Sequence, residues 1–260
     1  MKSIRHAFGF LTVFPLPSSS SGDVDEKDLG GSSAFFPLVG LAQGLSASLA
    51  FFFLDRAFSP AVTAALLVTG FVVFSGGLHV DGLSDTFDAL ASRKTRKQML
   101  AIMKDGCSGP VGTAAVVLVL LLKILLLEDI FEHAGSAYFC LTMMPVAGKW
   151  TMVAALFHGR SARQEGLGRI FIESTGCPQF AVATLLTVMI FVLAAWRGGL
   201  SPTEGLAMPA AVLLVPYLAA RFLLRLFQRR FHGLTGDNVG ALNEIGEVLF
   251  LLSARPLLAA

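Results

Sequence analysis

The sequence predicts an all-α polytopic membrane helix bundle, and three observations carry that prediction. Hydrophobic residues make up 54% of the 260 residues and charged residues only 15%. Mean hydropathy is +0.70. The 22 Phe, against 2 Tyr and 2 Trp, fall in long uncharged runs. A water-facing surface needs more charge than this, so a soluble globule is excluded. The whole chain, 1–260, reads as one integral-membrane domain.

The elements follow in chain order. Lys2 and Arg5 precede the apolar stretch Ala7 to Leu16, which is short, broken by Pro15 and Pro17, and lacks an A-x-A site, so no cleaved signal peptide is expected. Ser18 to Gly22 and then Asp23 to Asp28 read as a polar surface linker. Crossing hydrocarbon takes about 20 apolar residues in a helix. Six stretches reach or approach that length: Ser33 to Leu54, Ala61 to Leu78, Val111 to Leu127, Ser136 to Phe157, Phe180 to Trp196 and Leu206 to Phe227. The run Val248 to Ala260 is too short unless it begins near Ala241, so a seventh spanning helix and a re-entrant helix both remain open.

Basic residues set the expected orientation. With the N-terminus in the cytoplasm, the inside segments hold Lys2, Arg5, the cluster Arg93 to Lys97, Lys104, Arg160, Arg163, Arg169 and the series Arg221, Arg225, Arg229, Arg230, while the outside loops hold only Arg56 and Arg197. The 20 Lys and Arg nearly balance the 18 Asp and Glu, giving a net charge of +2, and no basic stripe for nucleic acid is present. Cys107, Cys140 and Cys177 are far apart and form no C-x-x-C pair, so no disulfide framework or zinc site is expected. His6, His133 and His158 stand alone and carry no signal.

Candidate chemistry lies in two acidic segments. In Gly76-Gly77-Leu78-His79-Val80-Asp81-Gly82-Leu83-Ser84-Asp85-Thr86-Phe87-Asp88, the carboxylates fall at i, i+4 and i+7 and share one helical face. Like charges so placed repel one another unless a cation sits among them, and oxygen-only ligands suit Mg²⁺. A solvated polar face is the alternative. The second segment, Gly233 to Glu247, holds Asp237, Glu244 and Glu247, and the last two lead into apolar Val248 to Leu252, where an unpaired carboxylate is costly. Both segments are expected at the cytoplasmic side, where six carboxylates converge on metal bound to a diphosphate. Gly109-Pro110-Val111-Gly112, at the start of a span, offers N–H groups to an anion or is an ordinary span boundary. Arg163 and Arg169 suit phosphate, Lys149 is a buried candidate, and Lys123 is expected to snorkel.

In order along the chain, Phe10-Leu11-Thr12 with Pro15 and Pro17, Phe36-Pro37-Leu38-Val39-Gly40, the Gly76 to Asp85 segment, Met103-Lys104-Asp105, the Arg163 to Gly168 loop, and Leu234-Thr235-Gly236-Asp237 through Glu247 resemble the cobalamin synthase family, also called adenosylcobinamide-GDP ribazoletransferase. The resemblance runs from about residue 8 to about residue 252. It implies a bacterial inner-membrane, Mg²⁺-dependent enzyme that joins adenosylcobinamide-GDP to alpha-ribazole or its 5′-phosphate and releases GMP, the last assembly step of cobalamin synthesis, with a homo-oligomer possible. On that reading His79, Asp81 and Asp85 are catalytic, and Arg93, Lys104, Asp105, Lys149, Arg163 and Glu165 contact substrate. The metal ligands are Asp81, Asp85, Asp88, Asp237, Glu244 and Glu247. Two departures touch the pattern. Asp105-Gly106-Cys107-Ser108-Gly109 lacks a basic residue for which Arg93 or Arg96 compensates, and His232 stands beside Gly233 where paired glycines are usual.

Two other classes compete. Membrane CDP-alcohol phosphotransferases also place spaced aspartates around Mg²⁺, but their D-x-x-D-G-x-x-A-R spacing is absent here, as is a prenyltransferase D-D-x-x-D. An ion-coupled transporter would place acids near the bilayer midplane in repeat-related helices, and no internal repeat is visible.

Overall fold

The computed structural model describes residues 2–14, 26–132, 134–197 and 202–258, so most of the expected polar linker over 18–28 lies outside the described residues. Helices α1 (Lys2–Leu11) and α2 (Glu26–Gly31) and a short 3₁₀ turn (Ser32–Phe35) lead into α3 (Phe36–Leu54) and α4 (Pro60–Phe74). Next come α5 (Leu78–Ala91), α6 (Arg96–Ile102), α7 (Pro110–Phe131), α8 (Ala134–His158) and α9 (Leu167–Ser174). Three long helices, α10 (Cys177–Arg197), α11 (Pro202–Phe231) and α12 (Gly236–Leu258), complete the chain. No strand occurs among the described residues, and the all-α bundle agrees with the sequence reading.

Among the described residues four helical stretches are long and apolar enough to cross a membrane, 28–54, 110–131, 137–158 and 177–196, and the bent pair α4–α5 makes a fifth if it is one broken span. Six spans were expected. Of the other two, α4 is shorter at 15 residues, and α11, at 30 residues, carries the arginine series in its second half. The surface is inverted relative to a soluble protein: Phe53, Leu185, Trp196 and Phe222 are 62–71% exposed. Side chains like these match a hydrocarbon solvent.

Helix α8 is the axis of the bundle, with 94% of its apolar stretch buried, against 22% for α7 and α10. It packs on α3, α10, α11 and α12. The α3–α8 seam is tight because Gly40 and Gly44 lie one turn apart. A Cβ on Gly40 would come within 2.6 Å of the Pro145 carbonyl oxygen, and one on Gly44 within 2.5 Å of that of Thr142. Close backbone approach through small residues replaces the hydrophobic driving force that lipid removes.

Two boundaries differ from expectation, each for a local reason. The second span ends at Phe74 rather than Leu78, because Gly76 (φ +61°) and Gly77 (φ +74°) take left-handed conformations that turn the chain by 88° into α5. Helix α5 therefore lies beyond the α4 crossing. The C-terminal segment is one continuous helix from Gly236 rather than a short run from Val248. Its acidic residues thus sit inside the bundle on a single helix, each matched to a partner described below.

Candidate active site

The site is assembled from three pieces of chain at one end of the bundle: the start of α5, the 159–169 loop and the 232–240 segment. The last two are tied by a parallel bridge between Ser161 and Leu234, in which the Leu234 N–H donates to the Arg160 carbonyl at 2.7 Å and the Ala162 N–H to the Leu234 carbonyl at 2.9 Å. Thr235 and Asn238 then start α12 by exchanging bonds: the Thr235 N–H donates to Asn238 Oδ1 (3.0 Å) and the Asn238 N–H to Thr235 Oγ1 (3.2 Å). Asn238 Nδ2 donates to Thr86 Oγ1 at 3.0 Å, locking α12 to α5. Gly82 lets the two approach, since a Cβ there would lie 2.6 Å from the Asp237 carbonyl oxygen.

Between these pieces lies a cavity of about 210 Å³ lined by His79, Asp81, Arg163, Glu165, Arg169 and Asp237, with apolar walls from Phe10, Phe36 and Phe171. Arg163 Nη2 donates to Asp237 Oδ2 at 3.0 Å, while its buried Nε has no partner. His79 is buried and its Nε2 likewise has none. Burial pushes the Asp237 carboxyl up, and Arg163 and the Thr235 hydroxyl pull it back. Buried Asp85 is pushed up to about 6, first by desolvation and then by the charges of Asp81, Asp237 and Asp88, with Arg163 opposing. Carboxylates so crowded favour a proton or a cation among them.

The predicted residues divide. Asp81 is exposed into the cavity and Asp85 stands behind it. Asp88 turns toward α7: the Gly109 N–H donates to its Oδ2 at 2.6 Å and the Gly112 N–H to its Oδ1 at 2.8 Å. The anion expected at that glycine-rich helix start is therefore the protein's own carboxylate, which leaves Asp88 little capacity for metal. Arg93, Lys104 and Asp105 are exposed and do not line the cavity. Arg96 holds the fold instead, donating to the Phe231 and Ala162 carbonyls at 2.8 Å each.

The largest correction concerns Glu244, Glu247 and the two lysines. Lys123 does not snorkel; it is buried and donates to Glu244 Oε2 and Glu247 Oε2, both at 2.6 Å. Lys149 is fully buried, donating to Asn243 Oδ1 at 3.0 Å and Gln43 Oε1 at 3.4 Å and lying 3.8 Å from Glu247 Oε1. Neither glutamate lines the cavity, because lysine ammonium groups already supply the cation they need. The expected convergence of six carboxylates reduces to Asp81, Asp85 and Asp237, with Asp88 adjoining.

Among the described residues no group of three His, Cys, Asp or Glu side chains is close enough to hold a metal ion alone. Mg²⁺ in phosphoryl-transfer sites is commonly bound through one or two carboxylates plus substrate phosphates rather than in an all-protein cage. The donor set fits: Asp81 and Asp85 offer oxygens without a basic partner, and Asp237 shares only Arg163.

A cavity lined by carboxylates and two anchored arginines, at one end of a bundle with membrane-spanning helices, is the candidate active site of an integral-membrane enzyme. The family model described as Cobalamin-5-phosphate synthase matches residues 3–255. Similar proteins named adenosylcobinamide-GDP ribazoletransferase come from Geotalea daltonii, 36% identical over 95% of this chain and 94% of the relative, and Acetivibrio thermocellus, 33% over 97% and 96%. A third, from Citrobacter koseri, is 33% identical over 94% and 95%. No solved structure matches. The chain belongs to the cobalamin-5-phosphate synthase family.

Proposed function

We propose that the protein joins adenosylcobinamide-GDP to alpha-ribazole, or to its 5′-phosphate, with release of GMP, at a cavity facing the cytoplasm from a bacterial inner membrane. The observation that carries this reading is the meeting of Asp81, Asp237 and Arg163 in one cavity, with buried Asp85 close enough to feel the charge of all three, in a chain whose relatives bear that activity's name.

The residues divide the work. Arg163 holds a phosphate oxygen through the accessible N–H groups of its partly exposed guanidinium while Nη2 keeps Asp237 in place. The ribazole hydroxyl attacks the cobinamide-side phosphorus, a new P–O bond forms, and the bond from that phosphorus to the bridging oxygen breaks. Its electron pair leaves with GMP. His79 Nε2, without a partner, accepts the hydroxyl proton. Phe10, Phe36 and Phe171 exclude water from one side of the reacting centre. Asp81, with Asp85 or Asp237 and the substrate phosphates, would hold Mg²⁺, which would neutralise charge building on the diphosphate.

A transporter reading would use the buried acids with Lys149 and Lys123, but among the described residues Glu244, Glu247 and Lys123 surround a space of only about 10 Å³ and are paired with one another. Purified protein in detergent is expected to release GMP from adenosylcobinamide-GDP only with Mg²⁺ and a ribazole both present. Release without the ribazole would make it a hydrolase, and no release under any condition would remove the reading.

A further inference from the structure

Behind the active cavity, on the other side of the Ser161–Leu234 bridge, a second cavity of about 320 Å³ opens between the end of α8 and the second half of α11. Leu234 lines both. The charged groups around the second cavity have one sign, Arg160, Arg221 and Arg225, joined by His158, with no Asp or Glu in its lining. Among the described residues none of these three guanidiniums takes part in an ion pair, whereas Arg163, Arg169 and Arg255 all do. Three uncompensated guanidiniums around one space repel one another and suit a phosphate, which they can grip in planar, bidentate fashion.

The neighbouring surface of α11 indicates which phosphate. Leu214, Leu218 and Phe222 are 52%, 55% and 68% exposed. Their spacing of four puts them in one row along the helix, and that row continues toward Arg221 and Arg225. An apolar stripe thus runs straight into the arginine cavity. A soluble nucleotide or inorganic phosphate makes no use of such a stripe. A phospholipid uses both parts, acyl chains on the stripe and headgroup among the arginines.

We propose that this cavity binds the headgroup of an anionic phospholipid, with its phosphate held by Arg160, Arg221 and Arg225 and its acyl chains along Leu214, Leu218 and Phe222. A zwitterionic lipid fits less well, because its own cation would face the three guanidiniums. The bound lipid braces the backbone of residues 159–161 and 233–234, the reverse side of the loops that present Arg163 and Asp237 to the active cavity.

The test uses the full chain in neutral detergent, with phosphatidylglycerol or phosphatidylcholine added and retained lipid counted by native mass spectrometry. Phosphatidylglycerol is expected to be retained over phosphatidylcholine and to raise the thermal unfolding midpoint. The Arg221→Gln/Arg225→Gln variant should weaken that retention roughly twenty-five-fold, each arginine beside a headgroup contributing about a factor of five. Arg229→Gln/Arg230→Gln, on the same helix but outside the cavity lining, should leave it unchanged. Equal retention of the two lipids, or equal loss in the two variants, overturns the proposal. Protection by millimolar inorganic phosphate as strong as that by lipid would assign the cavity to a soluble anion instead and also overturns it. Should the first variant not fold, the wild-type comparison of the two lipids with inorganic phosphate decides alone.

Discussion

Replacing Lys123 by methionine would strand two carboxylates inside the bundle. Lys123 is 2% exposed, and its ammonium lies 2.6 Å from both Glu244 and Glu247. The glutamates keep some support, because Asn243 Nδ2 donates to Glu244 Oε1 at 3.1 Å and Glu247 Oε1 at 2.9 Å, and Lys149 remains 3.8 Å from Glu247. Glu244 loses the one ion pair it makes among the described residues. Breaking a buried pair by removing one member costs about 3–5 kcal/mol, since the remaining charge is left uncompensated. Removing Lys123 and Glu244 together is far cheaper, because Glu247 then keeps Lys149 as its cation. The double change Lys123→Met and Glu244→Gln is therefore expected to recover most of the loss. The assay is reversible unfolding of the purified protein in mixed micelles, comparing wild type, the lysine variant and the double variant. A lysine variant within about 1 kcal/mol of wild type, or a double variant no better than the single, would refute the claim that these glutamates are satisfied by lysine.

Four further outcomes follow from the site geometry. Asp88→Ala removes the carboxylate that accepts from Gly109 and Gly112, and the cost to stability by thermal unfolding should be about 1–2 kcal/mol, the worth of a helix N-cap with its dipole contact. Gly82→Ala places a methyl 2.6 Å from the Asp237 carbonyl oxygen and should lower kcat while costing about 1–3 kcal/mol of stability, read as turnover and unfolding on the same sample. Arg163→Gln should raise KM for the GDP-bearing substrate about ten- to a hundredfold, the worth of a charge-assisted bond, and Arg163→Lys should restore part of it in steady-state assays. Asp81→Ala should raise the Mg²⁺ concentration needed for half-maximal GMP release; full turnover at unchanged Mg²⁺ would exclude Asp81 from metal binding.

The fold was legible wherever run length decided it. Uncharged stretches located α3, α7, α8 and α10, because hydrocarbon thickness fixes how long such a helix must be. The one-face spacing of Asp81, Asp85 and Asp88 was also readable, since it depends only on helical period. Which partner each acid takes was not readable. Asp88 finds N–H groups more than 20 residues away, and Glu244 finds Lys123 across 121 residues, so both choices belong to tertiary packing. Lys123 was misread because proximity to a span end says nothing about which side of the helix faces the bundle. Asn238 and Gly82 were missed as site-building residues. A glycine set between acids on a helix face was the available signal, since it marks where another backbone comes close.

Charge compensation then separates scaffold from site. In a bundle where lipid supplies no hydrogen bonds, each carboxylate that only supports the fold has to be neutralised by the chain itself. Glu244 and Glu247 are neutralised by lysine, Asp88 by a helix start, and Asp129 by Arg255. Asp81, Asp85 and Asp237 differ from these, because the three carboxylates have one guanidinium, Arg163, beside them at the edge of a cavity. On the proposed function a diphosphate entering that cavity adds further negative charge, so a cation is expected to enter with it. The proposed Mg²⁺ dependence then follows from the charge left over, and it predicts that Mg²⁺ and the diphosphate substrate bind cooperatively. Isothermal titration of each in the presence and absence of the other tests this: independent affinities would mean that the leftover charge is balanced some other way.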